Sequence, residues 1–407
     1  MAEAPWSRYV RPLLRCSNRG QGAFVASANI SARTSRNWQT RVMSIPRYVG
    51  QPDWYTSFNP QTLAATGTTL RWGVVATGNI AKTVTADLAL LEDATLQAVS
   101  SRSADSAVAF AEQFGFHTSY YDGGPDGLGA PGYVQLVADP DIDVVYIATP
   151  HASHYDIAKA ALEAGKHVLC EKALTITAAE TRSLIALARA KKLFLMEAVW
   201  ARFVPGFQRA LEIITSGEIG DIKWVRADLG FPAPEDDTAR IWAPADGGGA
   251  LLDISVYPLL WAWACLGRPD AVSATGELTA LGVDSQNTLT LTYDSGAQAQ
   301  LISYLTSHGP RTATISGSKG YIETVGSVNN PKGLRICVGW ENERNETFDY
   351  PGSGYTYQLR EVTRCIQDGL SESTTMALDD SLAIMELFDE ARRQMGISYP
   401  NDSRTDL

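Results

Sequence analysis

The chain has 407 residues, 45% of them hydrophobic and 19% charged, and a formal net charge of −11 at pH 7. At roughly 100–200 residues per domain, that length predicts two or three domains. The acidic balance excludes bulk electrostatic binding to nucleic acid, and no run approaches the roughly 18 apolar residues of a membrane helix. The five cysteines (Cys16, Cys170, Cys265, Cys337 and Cys365) include no CxxC pair. Neither a zinc site nor a disulfide framework is therefore expected, and a reducing compartment, the cytoplasm, fits.

The charge is unevenly spread. Residues 1–68 hold eight arginines, no lysine and only two acids, Glu3 and Asp53, so this stretch carries +6 and the remainder −17. An arginine- and serine-rich, acid-poor N-terminus has the composition of a mitochondrial transit peptide. Glu3 and Pro12 count against an amphipathic targeting helix, and the alternative is a disordered arm or one that packs on its own or a neighbouring subunit.

From Leu70 the pattern changes. Leu70–Ala76 reads as a strand, followed by a turn at 77–81 and a helix running to about Leu91. Thr95–Ser100 reads as a strand and Ala104–Phe114 as a helix; Asp122–Gly132, with five glycines and two prolines, reads as a surface insertion. Strand Asp143–Ala148, helix Tyr155–Ala164, strand His167–Cys170, helix Ala178–Ala190 and strand Leu193–Met196 continue the series. Short apolar strands alternating with helices predict βαβ units and a doubly covered parallel sheet, the α/β Rossmann arrangement. After about Ile222 the segments lengthen. Trp224–Leu229, Ala271–Ala280, Thr288–Tyr293, Ala297–Tyr304, Thr312–Ser316 and Arg335–Gly339 predict a mostly antiparallel sheet. Helices are expected near Leu251–Cys265, Thr356–Asp368 and Ser381–Arg393. The expected organisation is an extension (1–68), a Rossmann domain (69–200) and an α+β domain with a large open sheet (201–400).

The first strand-to-helix turn, Ala76-Thr77-Gly78-Asn79-Ile80-Ala81, stands where G-x-G-x-x-G/A holds a pyrophosphate on the N–H groups of a helix. Only Gly78 of the first two glycines is kept. An NAD enzyme places Asp or Glu at the end of the next strand, on the ribose hydroxyls. This chain has Ser100-Ser101-Arg102-Ser103, and a guanidinium flanked by hydroxyls suits the 2′-phosphate of NADP. Three further clusters could carry chemistry. Ala148-Thr149-Pro150-His151-Ala152-Ser153-His154 and Glu171-Lys172 both end strands on the edge where open α/β sheets bind ligands. Gly247-Gly248-Gly249 opens a helix on which Asp253 and Tyr257, four apart, share a face. No HExxH or third ligand near His154 supports a metal, and G-x-S-x-G is absent. Individually these residues are also common as caps, surface charges and rim tyrosines.

Together, and in order, they resemble the Gfo/Idh/MocA oxidoreductases, in the branch of NADP-dependent D-xylose 1-dehydrogenase and dimeric dihydrodiol dehydrogenase. The resemblance runs from about Leu70 to Pro400. It rests on the 76–81 turn, Asp139–His151, Leu162–Lys172, Leu193–Phe203, the Gly-Gly-Gly-Ala-Leu-Leu-Asp helix and Ile315–Gly320. Two positions depart from common family usage: Ala173 follows Glu171-Lys172 where proline is frequent, and Tyr257 stands where many members have histidine. The resemblance implies hydride transfer from an aldose anomeric carbon or a cyclic trans-diol to NADP, and a homodimer formed through the open sheet. It implies catalytic roles for Lys172, Tyr257 and Asp253, with His154, Trp200 and Arg202 on the substrate. Ala76, Thr77, Gly78, Asn79, Ile80, Ser101, Arg102, Ala148, Thr149, His151, Glu171 and Lys172 would hold the cofactor. A phenol of pKa about 10 needs a nearby cation to act as a base, so Lys172 is expected to activate Tyr257, or the two roles are reversed. The alternative is a catalytically silent NADP-binding regulator on the same fold.

Overall fold

The structure, a computed structural model, describes residues 62–124, 129–405 and 407. The targeting expectation for the N-terminus falls on residues that mostly lie outside this range. The last part of the expected extension does not stand apart, however. Arg360 donates to the Thr62 carbonyl and the Thr66 hydroxyl, and Gln367 to the Thr68 carbonyl, so residues 62–68 belong to the fold.

Six strands form the first sheet: β1 (Leu70–Val75), β2 (Ala94–Ser101), β3 (Thr118–Tyr121), β4 (Val144–Ile147), β5 (His167–Glu171) and β6 (Leu195–Ala198). All pair in parallel, in the order β3-β2-β1-β4-β5-β6. Every residue of β4 and β6 is buried, as expected of strands covered on both faces. The covering helices are α1 (Asn79–Leu88), α2 (Ala104–Phe114), α3 (Gly132–Ala138), α4 (His154–Glu163) and α5 (Ala178–Lys191). Their starts follow from the sequence: the Ser103 hydroxyl caps α2, and Thr177 with Glu180 forms a reciprocal capping box on α5. The strand order reverses between β1 and β4, which opens a crevice at their C-terminal ends. The glycine-rich stretch after β3 is closed at its base by the Gly132 N–H, which donates to Asp122 at 2.8 Å; residues 125–128 lie outside the described range.

The chain then passes through a 3₁₀ turn (Trp200–Phe203) and α6 (Pro205–Thr215) into a second sheet. Its strands are β7 (Ile222–Gly230), β8 (Ala271–Leu278), β9 (Asp284–Thr292), β10 (Gln298–Tyr304), β11 (Ala313–Gly317), β12 (Gly320–Ser327), β13 (Asn330–Val338) and β14 (Asn342–Thr347). They lie in the order β14-β13-β12-β11-β7-β10-β9-β8, and only β7 and β10 pair in parallel. One face is packed by helices. Along β10, Ala299, Leu301 and Ser303 are buried while Gln298, Gln300 and Ile302 face out. The open face is thus polar for the most part. Leu289, Leu291 and Leu301 point to the helices, and the outer rows are mainly Gln, Thr and Arg, with Trp224, Ile302 and Val325 as exposed apolar residues.

The predicted helix over Leu251–Cys265 is two helices, α7 (Ala250–Ile254) and α8 (Val256–Leu266), with Ser255 between them, and the segment Pro244–Ile254 meets α8 at 45°. Asp253 and Tyr257 therefore do not share one straight helical face. Val256–Cys265 is buried throughout, so its all-round apolarity is that of a core helix. Among the described residues no single helix is long and apolar enough to cross a membrane. Two last helices join the sheets: α9 (Thr356–Gln367) packs on α1 and on the 200–203 turn, and α10 (Leu378–Met395) packs on β8, α5 and β6. One hydrophobic core consequently runs through both sheets.

Candidate active site

The nucleotide edge is built by the ends of β1, β2 and β4. Ala76 follows β1 with φ +96°, in the left-handed region that favours glycine, and its N–H donates to the Ser100 carbonyl at 2.9 Å. The backbone thus keeps the glycine conformation of the fingerprint although the residue is alanine. Gly78 precedes α1, and a Cβ built there meets nothing within 4 Å, so open space lies over the turn. No side chain caps α1 and no acid stands in its first turn, which leaves the N–H groups at Asn79 and Ile80 available to an anion. Thr77 and Ser101 approach each other at 3.4 Å between hydroxyls. Arg102 is exposed, with no hydrogen bond or ion pair among the described residues. Across the switch point, the Ala148 N–H donates to the Val75 carbonyl, and the Thr149 hydroxyl is buried without a partner among the described residues. An uncapped helix start, an open glycine turn, an unpaired guanidinium and an orphaned hydroxyl on one edge fit a dinucleotide bearing a 2′-phosphate.

Lys172 follows β5 on that same edge, and its peptide bond to Ala173 is cis. The Lys172 ammonium donates to the Asp253 carbonyl oxygen, lies 3.6 Å from the Asp253 carboxylate and stands 5.5 Å from the centre of the Tyr257 ring. Trp200 Nε1–H donates to the Tyr257 hydroxyl at 3.1 Å. Burial alone would raise the Asp253 carboxyl, but Lys172, His151 and Arg240 outweigh it and hold the group down at about 2. It is a carboxylate at neutral pH. The Tyr257 phenol moves the other way: burial first, then the field of Glu171, pushes it far above its ordinary value, while Trp200 opposes them. The expected phenolate-favouring field of a cation is outweighed here by burial and Glu171, and the Asp253 carboxylate beside Lys172 adds to them. With its oxygen accepting from Trp200, Tyr257 has its own proton free to give to another oxygen.

His151 and His154 are placed differently from the expectation. His154 is fully buried, with its ring nitrogens 2.9 Å from the Thr149 and Ala173 carbonyl oxygens, so it presents no free nitrogen to a substrate. His151 lies likewise between the Gly247 and Lys172 carbonyls, at 2.9 and 3.0 Å. Burial lowers both, His151 to about 3 and His154 to about 4, so both are neutral at pH 7. A neutral imidazole donates through one nitrogen only, so each ring holds one of its two carbonyls, next to the Lys172–Ala173 bond. Arg202 is also redirected: its guanidinium is buried against Asp380 at 2.8 Å and holds the start of α10 instead of reaching for substrate. Glu171 is buried beneath the site, accepting from the Tyr146 hydroxyl at 2.7 Å, and burial raises its carboxyl to about 7.

The turn Gly247-Gly248-Gly249 delivers Asp253. Gly249 has φ +103°, and a Cβ there would fall 2.6 Å from an Asp284 oxygen, so both conformation and space require glycine. Asp284, fully buried, accepts from the Leu251 N–H at 3.0 Å and so caps α7. Tyr355 stacks on Trp200 with ring centres 4.3 Å apart, and Arg240 reaches Asp253 at 3.4 Å. Sequence reasoning missed Arg240, Asp284 and Tyr355. The only local signals were a lone arginine in an exposed loop, the aspartate that opens β9 and a Gly-Ser-Gly-Tyr run.

Residues 70–199 match the family model described as "Oxidoreductase family, NAD-binding Rossmann fold" of Gfo/Idh/MocA, and residues 207–323 match "GFO/IDH/MocA C-terminal domain". This chain belongs to the Gfo/Idh/MocA oxidoreductase family. Among its relatives is the D-xylose 1-dehydrogenase (NADP(+)) of Hypocrea jecorina, 36% identical over 83% of this chain and 95% of that protein. The trans-1,2-dihydrobenzene-1,2-diol dehydrogenase of Mus musculus is 34% identical, covering 82% of this chain and 99% of its own. Among solved structures, a 3-ketoreductase from Actinomadura kijaniata in complex with NADP and TDP-benzene matches with a TM-score of 0.71 at 26% identity. That match spans 81% of this chain and 98% of the other. Levoglucosan dehydrogenase, in complex with NADH and levoglucosan, matches at a TM-score of 0.72 and 22% identity over 81% and 98% of the two chains, a likeness of fold. In this Gfo/Idh/MocA chain the lysine and tyrosine that the motifs singled out meet at one point, beside Asp253 and Trp200.

Proposed function

We propose that the chain is an NADP-dependent dehydrogenase acting on a CH–OH group, at the anomeric carbon of an aldose of the D-xylose kind or on a cyclic trans-diol. The observation that carries this reading is the convergence of Lys172, Asp253, Tyr257 and Trp200 beside the open β1–β4 crevice. The named relatives, which act on a pentose and on a trans-diol, support the substrate class. NADP, when bound, takes up the hydride that leaves the substrate carbon. The turn at 76–80 would hold the pyrophosphate, with Arg102, Ser101 and Thr77 on the adenosine side and Ala148, Thr149, His151 and Glu171 lining the nicotinamide side. Lys172 and Asp253 orient the reacting hydroxyl, and Trp200 walls the sugar.

Tyr257 moves the proton. Because its phenol is protonated at neutral pH, the resting site favours giving a proton to a carbonyl oxygen. Oxidation needs the small deprotonated fraction, so its rate should climb with pH and reach no plateau below pH 10, the phenol's ordinary value. NADPH formation, followed by near-ultraviolet absorbance with a panel of aldoses and cyclic trans-diols, tests the reading. Tight NADPH binding with no turnover would sink it and leave the silent regulator. Arg102→Ala should weaken NADP binding and leave NAD binding nearly unchanged; equal losses would remove Arg102 from the 2′-phosphate.

The homodimer is proposed on the exposed Trp224, Ile302 and Val325 of the open sheet face, and light scattering of the purified protein reads it. The compartment we propose is the cytoplasm. A fluorescent fusion of residues 1–68 that enters mitochondria would replace it.

A further inference from the structure

Asp87 lies near the C-terminal end of α1, away from the nucleotide turn, and only 2% of it is exposed. Its partners are not in its own domain. The carboxylate accepts from the Ser353 N–H at 2.9 Å and from the Tyr355 N–H at 2.8 Å, and the backbone at Gly354 and Thr356 also faces it. Ser353 and Gly354 lie in the turn that leads into α9, Tyr355 is the residue that precedes its first turn, and Thr356 is its first residue. That helix has no side-chain cap of its own and no acid in its first turn. A carboxylate from the nucleotide domain therefore does the work of its missing N-cap.

The capped loop is squeezed from both sides. A Cβ on Gly352, which has φ +60°, would fall 2.1 Å from Asp87 Oδ1, and one on Gly354 would fall 3.2 Å from the Trp200 ring. The next residue, Tyr355, is 9% exposed and stacks on Trp200 with an interplanar angle of 27°. Trp200 in turn donates its indole N–H to the Tyr257 hydroxyl. A continuous series of contacts thus leads from Asp87 through the 352–355 backbone and two stacked rings to the phenol.

We infer that Asp87 is a positioning residue for the reaction: by capping α9 across the domain junction it sets Tyr355 against Trp200, and so aims the indole N–H at Tyr257. The inference rests on the reading of Tyr257 as the proton-carrying group. It also gives Tyr355 a function, as the rear support of the substrate-site tryptophan. The charged and titratable groups facing Tyr257 are Glu171, Lys172, Asp253 and Tyr355, and of these Tyr355 is the one in contact with Asp87, through its N–H.

The test is a double-mutant cycle on the full chain. A misaimed hydrogen bond is worth up to about tenfold in rate. Asp87→Ala should therefore lower kcat for the oxidised substrate by about that factor. The NADPH dissociation constant, read by fluorescence titration, should stay within about twofold, because α1 still presents its N-terminus to the cofactor. Asp87→Asn, which keeps one acceptor oxygen, should recover part of the loss. Trp200→Phe keeps the stack and removes the indole N–H, and it should cost about the same as Asp87→Ala. The double variant should be no slower than Trp200→Phe alone, because both changes break one contact series. Additive losses, an unchanged kcat in Asp87→Ala, or a loss confined to NADPH binding would each overturn the inference. If Asp87→Ala does not fold, the same cycle is run with Asp87→Asn. Tyr257→Phe separates the two levels: wild-type turnover there sinks the reading of Tyr257 itself. Abolished turnover beside an additive cycle sinks only the role of Asp87.

Discussion

Glu171 shows how a single buried group couples the site to pH. It ends β5, buried beside Tyr146 of β4, and burial, opposed by the Tyr146 hydroxyl and Lys172, raises its carboxyl from 4.5 to about 7. Between those values the folded protein binds a proton that the unfolded chain has released, so stability falls as pH rises through the interval. The contribution is fully present below pH 4.5 and gone above about 7. His151 and His154 act in the opposite sense. Their folded values of about 3 and 4 lie below 6.5, so their contribution is present above pH 6.5 and is lost as pH falls toward those values. Comparing Glu171→Gln with the wild type removes the histidine contribution, which both proteins share. The difference in melting temperature, variant minus wild type, should rise from pH 4.5 to about 7 and then level off. A flat difference across that interval would mean that Glu171 is already ionised in the fold.

At the scale of elements, what could be read from the sequence depended on whether a partner was needed to define the element. The β1-turn-α1 unit was legible because strand, glycine turn and helix are contiguous, and so were the edge positions of Thr149 and Lys172. The break between α7 and α8 did carry a signal, Pro258, which has no N–H for the Ile254 carbonyl four residues back, but the nearly continuous apolar run Leu251–Cys265 masks it. β14 was invisible for a different reason. It is an edge strand of Asn, Glu, Arg and Thr, held partly by Arg335–Glu343, Arg344–Glu218 and Arg209–Glu346 ion pairs in place of an apolar alternation. His154 and Arg202 carried the right motif, yet their roles turned on carbonyls and a carboxylate brought from elsewhere in the chain. Asp284 is the same kind of case, and it can be tested. Its carboxylate takes the Leu251 N–H and the Asn287 amide, at 3.0 and 2.8 Å, with no solvent exposure. Asp284→Ala removes the α7 cap and strands both donors, so it should cost about 2–4 kcal/mol in a denaturant titration. Turnover should fall with it as Asp253 loses its place, while Asp284→Asn should be milder on both counts. A loss below about 0.5 kcal/mol would show that the glycine turn holds α7 without the cap.

Across the whole molecule, α9 is the joint at which the two sheets and the start of the described chain meet. One of its carboxylate partners, Asp87, caps it. The other, Asp93, is buried with Arg360 at 1% and 2% side-chain exposure, in two contacts of 2.8 Å. The same guanidinium holds the Thr62 carbonyl at 2.9 Å and the Thr66 hydroxyl at 2.7 Å, so one side chain ties β2, α9 and residues 62–66 together. Such a pair gains little over a well-packed apolar replacement, because both charges were desolvated to form it, but breaking one side leaves the other charge buried and alone. Arg360→Ala should therefore cost about 3–5 kcal/mol. It should also make residues 62–68 more open to limited proteolysis, since the Thr62 carbonyl and the Thr66 hydroxyl each lose the Arg360 donor. Replacing both members, as Asp93→Leu with Arg360→Met, should recover most of the global stability by removing the stranded carboxylate. The double replacement restores no donor to the Thr62 carbonyl, so protection of 62–68 should stay lost. If the double variant is instead as unstable as Arg360→Ala, the hydrogen bonds to residues 62–66, and not the ion pair, hold the joint. If Arg360→Ala costs less than about 1 kcal/mol, α9 is kept in place by its apolar face and by Asp87 alone.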